Sequence, residues 1–275
     1  MPHAAPNNRF LLNVGCGTCF HTDWTNIDLA SASSHVIAYN ILSGLPFEDN
    51  TFDAVYHSHV LEHLDRTAAR NMMQECYRVL KPDGIVRVVL PDLAYICQRY
   101  LQMLDEAMAD PHNPITAEHH EWALMGMIDQ LVRTQSGGEI GAFLKRGAIL
   151  DEDFIRAGGT LMAETQRSQN AKLTLMARLR RATPRKVLRL LNQRLMTTLL
   201  GQTYQEVAFR RLGEVHKWMY DQYSLTRLMQ DIGLRDIEFM TAETSKIPNW
   251  ATYYLDTETD GTIRKPNSLF GEAIK

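Results

Sequence analysis

At 275 residues and 45% hydrophobic content, the chain can bury one large α/β core, with or without a smaller appendage, which excludes disorder as the default. A formal charge of −3 excludes a nucleic-acid binder that works through overall basicity, and the four cysteines Cys16, Cys19, Cys76 and Cys97 are too few for a disulfide scaffold. No stretch approaches the roughly 20 apolar residues of a membrane span, and the opening MPHAAPNNRF lacks the pattern of a secretory signal, so a soluble cytoplasmic protein is the expectation.

Residues 9 to 90 alternate strands with short helical stretches. The apolar run Phe10-Leu11-Leu12-Asn13-Val14 ends in glycines and reads as a first strand; further strands are expected near Trp24 to Asp28, Val36 to Tyr39, Phe52 to Tyr56 and Ile85 to Leu90. The turn Lys81-Pro82-Asp83-Gly84 precedes the last of these. From Arg66 to Leu80 the apolar positions Ala69, Met72, Met73, Cys76, Val79 and Leu80 fall at helical spacing, so strand, helix and strand follow closely enough to imply a parallel sheet. Beyond Pro91 long helical stretches are expected at 93 to 109, 115 to 135 and 171 to 200, too long a block for a crossover. We read it as a helical insertion at residues 99–219, facing an acceptor or a membrane, within a core formed by 1–98 and 220–275. A helix near Ser224 to Ile232 closed by Gly233, a strand from Arg235 to Met240 and a last strand from Ala251 to Leu255 complete the expected pattern.

In Val14-Gly15-Cys16-Gly17-Thr18-Cys19, two glycines follow directly on a strand, where absent side chains let the backbone approach a ligand. Asp28 ends the second strand, where a carboxylate can accept from two ribose hydroxyls, and Asn40-Ile41 ends the third. Leu45-Pro46-Phe47-Glu48-Asp49-Asn50-Thr51-Phe52-Asp53, Val60-Leu61-Glu62-His63-Leu64 and Arg78-Val79-Leu80-Lys81-Pro82-Asp83-Gly84 follow in order. Cys16-Gly17-Thr18-Cys19 also reads as a dithiol, but a redox role leaves Asp28 and the later motifs without a purpose. A nicotinamide dinucleotide site needs a further glycine where Phe20 stands.

The series VGCG, NID, LPFEDNTFD, VLEHL and RVLKPDG resembles the class I S-adenosylmethionine-dependent methyltransferases of the methyltransferase-11 type over residues 10 to 92. It is most similar to predicted bacterial methyltransferases associated with surface-polysaccharide biosynthesis, which carry Trp-x-Asn-Ile-Asp and Pro-Asp-Leu, here Pro91-Asp92-Leu93; His216 to Asp221 and Ser268 to Ala273 look like that group too. The resemblance implies a Rossmann-like, doubly wound, mostly parallel α/β sheet that binds S-adenosyl-L-methionine. By position it assigns Asn13, Gly15, Cys16 and Gly17 to the methionine end, Asp28 and Leu29 to the ribose, Asn40 and Ile41 to the adenine, with His57 alongside. Asn13 and Cys19 depart from the acidic residue and third glycine usual at those places, and Asn40 from a frequent Asp.

The expected activity is O-methylation of a sugar, glycan or other small hydroxyl-bearing acceptor; the alternative is a non-catalytic, cofactor-binding partner protein. Transfer to a hydroxyl needs an aligned acceptor and a base with a pKa near neutrality, for which His59 and His63 are candidates and His216 a third. His57, His59 and His63 with Glu62 could also be read as metal ligands, but roles in proton transfer or substrate orientation are preferred and no metal is expected. Between Thr165 and Gln205 there is no acidic residue, while Arg167, Lys172, Arg178, Arg180, Arg181, Arg185, Lys186, Arg189 and Arg194 interleave with leucines and methionines. Three readings of residues 167–200 stay open: peripheral contact with anionic lipid on the inner membrane face, recognition of a phosphorylated acceptor, or a solvated surface over a leucine face. No nucleic-acid partner is expected, since the segment has no aromatic residue for stacking before Tyr204.

Overall fold

The computed structural model describes residues 9–31, 33–146, 201, 206–207, 209–210 and 213–275. The chain divides into two compact units, Met1–Arg99 with Lys217–Lys275, and Tyr100–His216. All nine cations of the basic stretch, and the helix expected at 171–200, lie outside the described residues. Among the described residues no helix is long and apolar enough to cross a membrane.

The first unit is built on one seven-stranded sheet. Its strands are β1 (Leu11–Val14), β2 (Thr25–Asp28), β3 (Val36–Ala38), β4 (Phe52–Ser58), β5 (Leu80–Pro91), β6 (Arg235–Phe239) and β7 (Ser268–Ile274), in the order β3-β2-β1-β4-β5-β7-β6. The first five pair in parallel, whereas β7 runs antiparallel to both β5 and β6. The chain winds outward from β1 to β3 and then returns to β4 on the other side of β1, which makes a doubly wound, Rossmann-like sheet with its switch point between β1 and β4. The last strand is therefore not 251–255, where a single 3₁₀ turn (Trp250–Thr252) forms, but β7. The sequence Ser-Leu-Phe-Gly-Glu-Ala-Ile hid it, because a strand buried on both faces shows no alternation and its Glu272 looks like a surface residue.

One face of the sheet is covered by α1 (Arg66–Val79) and a helix near the C-terminus, Gln222–Asp231. Asp65 caps α1 by accepting from the Ala68 N–H at 2.9 Å, and the expected face of Ala69, Met72, Met73, Cys76 and Val79 packs on Leu12, Val14, Val55, Val86 and Val88. The C-terminal helix opens with a reciprocal Asp221/Ser224 capping box and is closed by Gly233 at φ +96°, the stop its sequence implied.

The other face is covered differently. Residues 15–24 alone join the parallel strands β1 and β2, shorter than the usual crossover of about a dozen residues or more, and they form turns rather than a helix. In its place Trp24, Tyr56, Trp250 and Tyr253 meet mostly edge to face, with Trp24–Tyr253 centroids 5.4 Å apart, over Leu11, Ala54 and Val89. A buried charge fastens this layer. Arg87 of β5, 0% exposed, reaches Oδ2 of Asp256 through Nε (2.9 Å) and Nη2 (2.8 Å) and Oε1 of Glu272 through Nη1 (2.7 Å). The same guanidinium donates to the Thr241 and Thr244 carbonyls at 2.7 and 2.9 Å and stacks 4.4 Å from the Trp250 ring. Tyr56 donates its phenol to Oδ1 of Asp256 at 2.6 Å.

The second unit is mainly helical. The helix Leu93–Ala109 carries the chain into it, followed by Pro114–Val132 and Gly138–Lys145. Asn113 accepts from the Ile115 N–H with Pro114 at the first helical position. Trp122, Ile140 and Phe143 form its small core, and Arg133 pairs with Asp129 at 2.6 Å.

Arg87→Met would leave Asp256 and Glu272 buried without a counter-charge, so urea unfolding of the variant should show a loss of about 3–5 kcal/mol. An unchanged unfolding midpoint would mean that the aromatic layer holds itself.

Candidate functional site

Ligands of doubly wound sheets bind beyond the carboxyl ends of the strands at the switch point, here the ends of β1, β2 and β4. The turn after β1 is held by Gly15 N–H and Cys16 N–H, both donating to the Ile27 carbonyl, at 2.8 and 3.2 Å. Gly15 has φ +68°, and a Cβ there would lie 2.6 Å from Cγ2 of Val60, the second residue after β4. Gly17 also has a positive φ, +56°, but a Cβ there would meet nothing within 4 Å. The first glycine is thus required by packing, and the second leaves bare backbone facing open space.

Asp28 ends β2 with one carboxylate oxygen accepting from Gly17 N–H (2.9 Å) and the other from Ala30 N–H (3.1 Å). A carboxylate offers about four acceptor positions, so each oxygen keeps one. Leu29 beside it is 71% exposed, and Leu42, in the 3₁₀ turn that follows β3, 61%. Asn40 caps the 3₁₀ turn Ile41–Ser43 by accepting from Leu42 N–H at 3.1 Å.

Asn13 is 1% exposed and braces the loop from beneath, its Nδ2 donating to the Cys19 carbonyl and to Oδ1 of Asn26, both at 3.2 Å. A carboxylate at this position could only accept and could not make these two bonds. Asn13 Oδ1 has no hydrogen-bond partner among the described residues. Cys19 donates its thiol to the Leu255 carbonyl at 3.4 Å, so the residue in place of a third glycine ties the loop to the aromatic layer. Burial and the Asp28 charge push the Cys16 thiol up to about 12, the opposite of the shift an active dithiol needs.

His57, expected beside the cofactor, instead turns into the core against α1, with Nε2 3.3 Å from Sδ of Met73. Burial lowers its pKa to about 4. His59 directly follows β4 in a left-handed conformation (φ +55°) and is 8% exposed. Its Nδ1 lies 3.1 Å from Oε1 of the buried Glu62, and its Nε2 3.0 Å from Oγ of Ser268. His63 sits in the 3₁₀ turn Leu61–His63, half-buried, its N–H donating to the Val60 carbonyl. His216, in the second unit, is buried, with its N–H donating to the Gln130 carbonyl at 2.9 Å. Ser268 escaped the sequence reading as a site residue because only the antiparallel return of β7 brings it to the end of β5, where it pairs with Pro91, and Glu62 was read there only as a possible metal ligand.

The two motifs between Leu45 and Gly84 prove to hold each other. Arg78 donates to the Leu45 and Phe47 carbonyls, to Asp49 and to both oxygens of Glu75, all within 2.7–3.0 Å. Lys81 reaches both oxygens of Asp53 at 2.8 and 2.9 Å, stapling a bulge in which Phe52 pairs with Leu80 and Ala54 with Ile85.

Residues 33–88 match the family described as a methyltransferase domain. A search of curated proteins finds no match. Solved structures similar to the chain include a SAM-dependent methyltransferase from Archaeoglobus fulgidus (13% identity over 96% of this chain and 85% of that one, TM-score 0.38). A putative S-adenosylmethionine-dependent methyltransferase from Listeria monocytogenes is also similar (14% identity, 96% and 90%, TM-score 0.36). A third, the 1,6-didemethyltoxoflavin-N1-methyltransferase of Burkholderia thailandensis, was solved with S-adenosylhomocysteine (19% identity, 30% and 44%, TM-score 0.26). The fold assignment rests on the strand order of this chain, and within it residues 33–88 carry the match to a methyltransferase domain.

Gly15→Ala should cost about 1–3 kcal/mol of stability through the Val60 overlap, while Gly17→Ala should mainly weaken donor binding; paired thermal melts and calorimetry separate the two. His57 is neutral in the fold, whereas the unfolded chain takes up a proton near pH 6.5. Stability should therefore fall as pH drops from about 6.5 to 4, by roughly 3 kcal/mol at about 1.4 per unit. In His57→Phe that part of the slope should vanish from unfolding curves taken across the window.

Proposed function

We propose that the protein transfers a methyl group from S-adenosylmethionine to a hydroxyl of a sugar, glycan or other small acceptor. Asp28 would hold the ribose hydroxyls on its two remaining acceptor positions, and the bare backbone at Gly17 would admit the methionine end. Leu29, Asn40 and Ile41 would flank the adenine, the exposed leucine offering an apolar face. The bound donor supplies a sulfonium whose methyl is already electrophilic. What the protein must add is alignment and, for a hydroxyl, a place for the proton.

The observation that carries the oxygen acceptor is the His59–Glu62 pair, one residue from the Val60 that touches Gly15. An imidazole with one nitrogen facing a carboxylate can take a proton on the other. An amine that enters neutral has no need of such a pair. The glycan class and the contribution of the basic residues 167–200, whether to an anionic lipid or to a phosphorylated acceptor, belong to this proposal; so does a location on the cytoplasmic face of the inner membrane.

Calorimetry with S-adenosylmethionine tests the donor site. The wild type should bind, and Asp28→Ala should lose about tenfold or more in affinity, about 1.4 kcal/mol or more. No binding by the wild type would sink the proposal, and binding without turnover of any hydroxyl acceptor would favour a non-catalytic partner role.

A further inference from the structure

His59 is the natural base for the O-transfer proposed above, yet the acceptor has no direct route to its ring. The side chain is buried, Nδ1 faces Glu62 and Nε2 faces Ser268. With Nδ1 3.1 Å from Glu62 Oε1, the tautomer that carries its proton on Nδ1 leaves Nε2 as an acceptor for the Ser268 hydroxyl, 3.0 Å away. Ser268 itself is half-buried, the least enclosed member of the chain of three.

The backbone fixes this juxtaposition from both sides. His59 N–H donates to the Val89 carbonyl at 2.8 Å, anchoring the end of β4 to β5, and Ser268 opens β7 opposite Pro91 at the end of β5. Each is set by a residue in left-handed backbone, His59 itself at φ +55° and Asn267 at φ +67°. Such conformations are uncommon outside glycine and persist where the surroundings enforce them.

We propose that Ser268, His59 and Glu62 form a proton relay in which the Ser268 hydroxyl is the group that touches the acceptor. This rests on the O-methyltransferase reading. As the acceptor oxygen bonds to the methyl carbon, the carbon–sulfur bond breaks and the sulfur keeps its electron pair. The acceptor proton passes to Ser268 Oγ while the serine proton passes to His59 Nε2, and Glu62 faces the resulting imidazolium. Ser268 is then a catalytic residue, and His59 and Glu62 act through it.

A serine so placed should also be nucleophilic, and this can be read without knowing the acceptor. With a fluorophosphonate probe, Ser268 Oγ would bond to phosphorus, fluoride would leave and the serine proton would go to His59. Peptide mass spectrometry should find Ser268 labelled about 10²-fold faster in the wild type than in His59→Asn, a residue that tolerates the left-handed backbone. Glu62→Gln should slow it too. Absence of Ser268 labelling, or equal rates in wild type and His59→Asn when both melt alike and bind donor alike, overturns the relay and leaves the donor site standing. Failure of the wild type to bind S-adenosylmethionine instead removes the O-methyltransferase reading. On a panel of methyl glycosides and sugar nucleotides with radiolabelled donor, Ser268→Ala should lower kcat about 10²-fold at unchanged donor affinity, and Ser268→Thr should restore it; wild-type kcat in Ser268→Ala overturns the proposal.

Discussion

The buried guanidinium of Arg87 is the constraint on which the first unit depends. A parallel sheet needs both faces covered, and the ten-residue passage from β1 to β2, residues 15–24, builds no helix to cover one of them. The segment 241–256 fills that space with Trp250, Tyr253 and Leu255, and Arg87 binds it at Thr241, Thr244 and Asp256. A lone buried charge would be prohibitively costly, so the two carboxylates and two carbonyls around it are what make the arrangement tenable. Because Glu272 lies on β7, the same cation also fixes the strand that carries Ser268. Cys19, bonded to Leu255, carries the connection to the glycine loop.

The site follows from this frame. Gly15 closes on Val60, Gly17 is tied to Asp28, and Asn13 supports the turn by donating two hydrogen bonds that an acidic residue could not. The conspicuous motifs LPFEDNTFD and RVLKPDG hold each other: Arg78 spends its donors on the loop that feeds β4, and Lys81 of β5 on Asp53 of β4.

Much of the fold was legible in local pattern. The α1 face, the Gly233 stop and the five parallel strands all follow from spacing and turn chemistry. What could not be read was non-local. Arg87 looked like a polar interruption of Ile-Val-Arg-Val-Val, since its counter-charges lie more than 150 residues away, and β7 lacked alternation because both its faces are buried. The residues proposed for the donor site, at the ends of β1 to β3, form one ordered series in the sequence; the histidines were not separable, because only strand register turns His57 into the core and His59 toward Ser268.

The most direct test is a crystal structure with S-adenosylhomocysteine and the registry of its two ends. The account predicts the ribose hydroxyls on the Asp28 carboxylate and the thioether sulfur facing Ser268 and His59. A ribose bound elsewhere, or a sulfur turned away from Ser268, would contradict it.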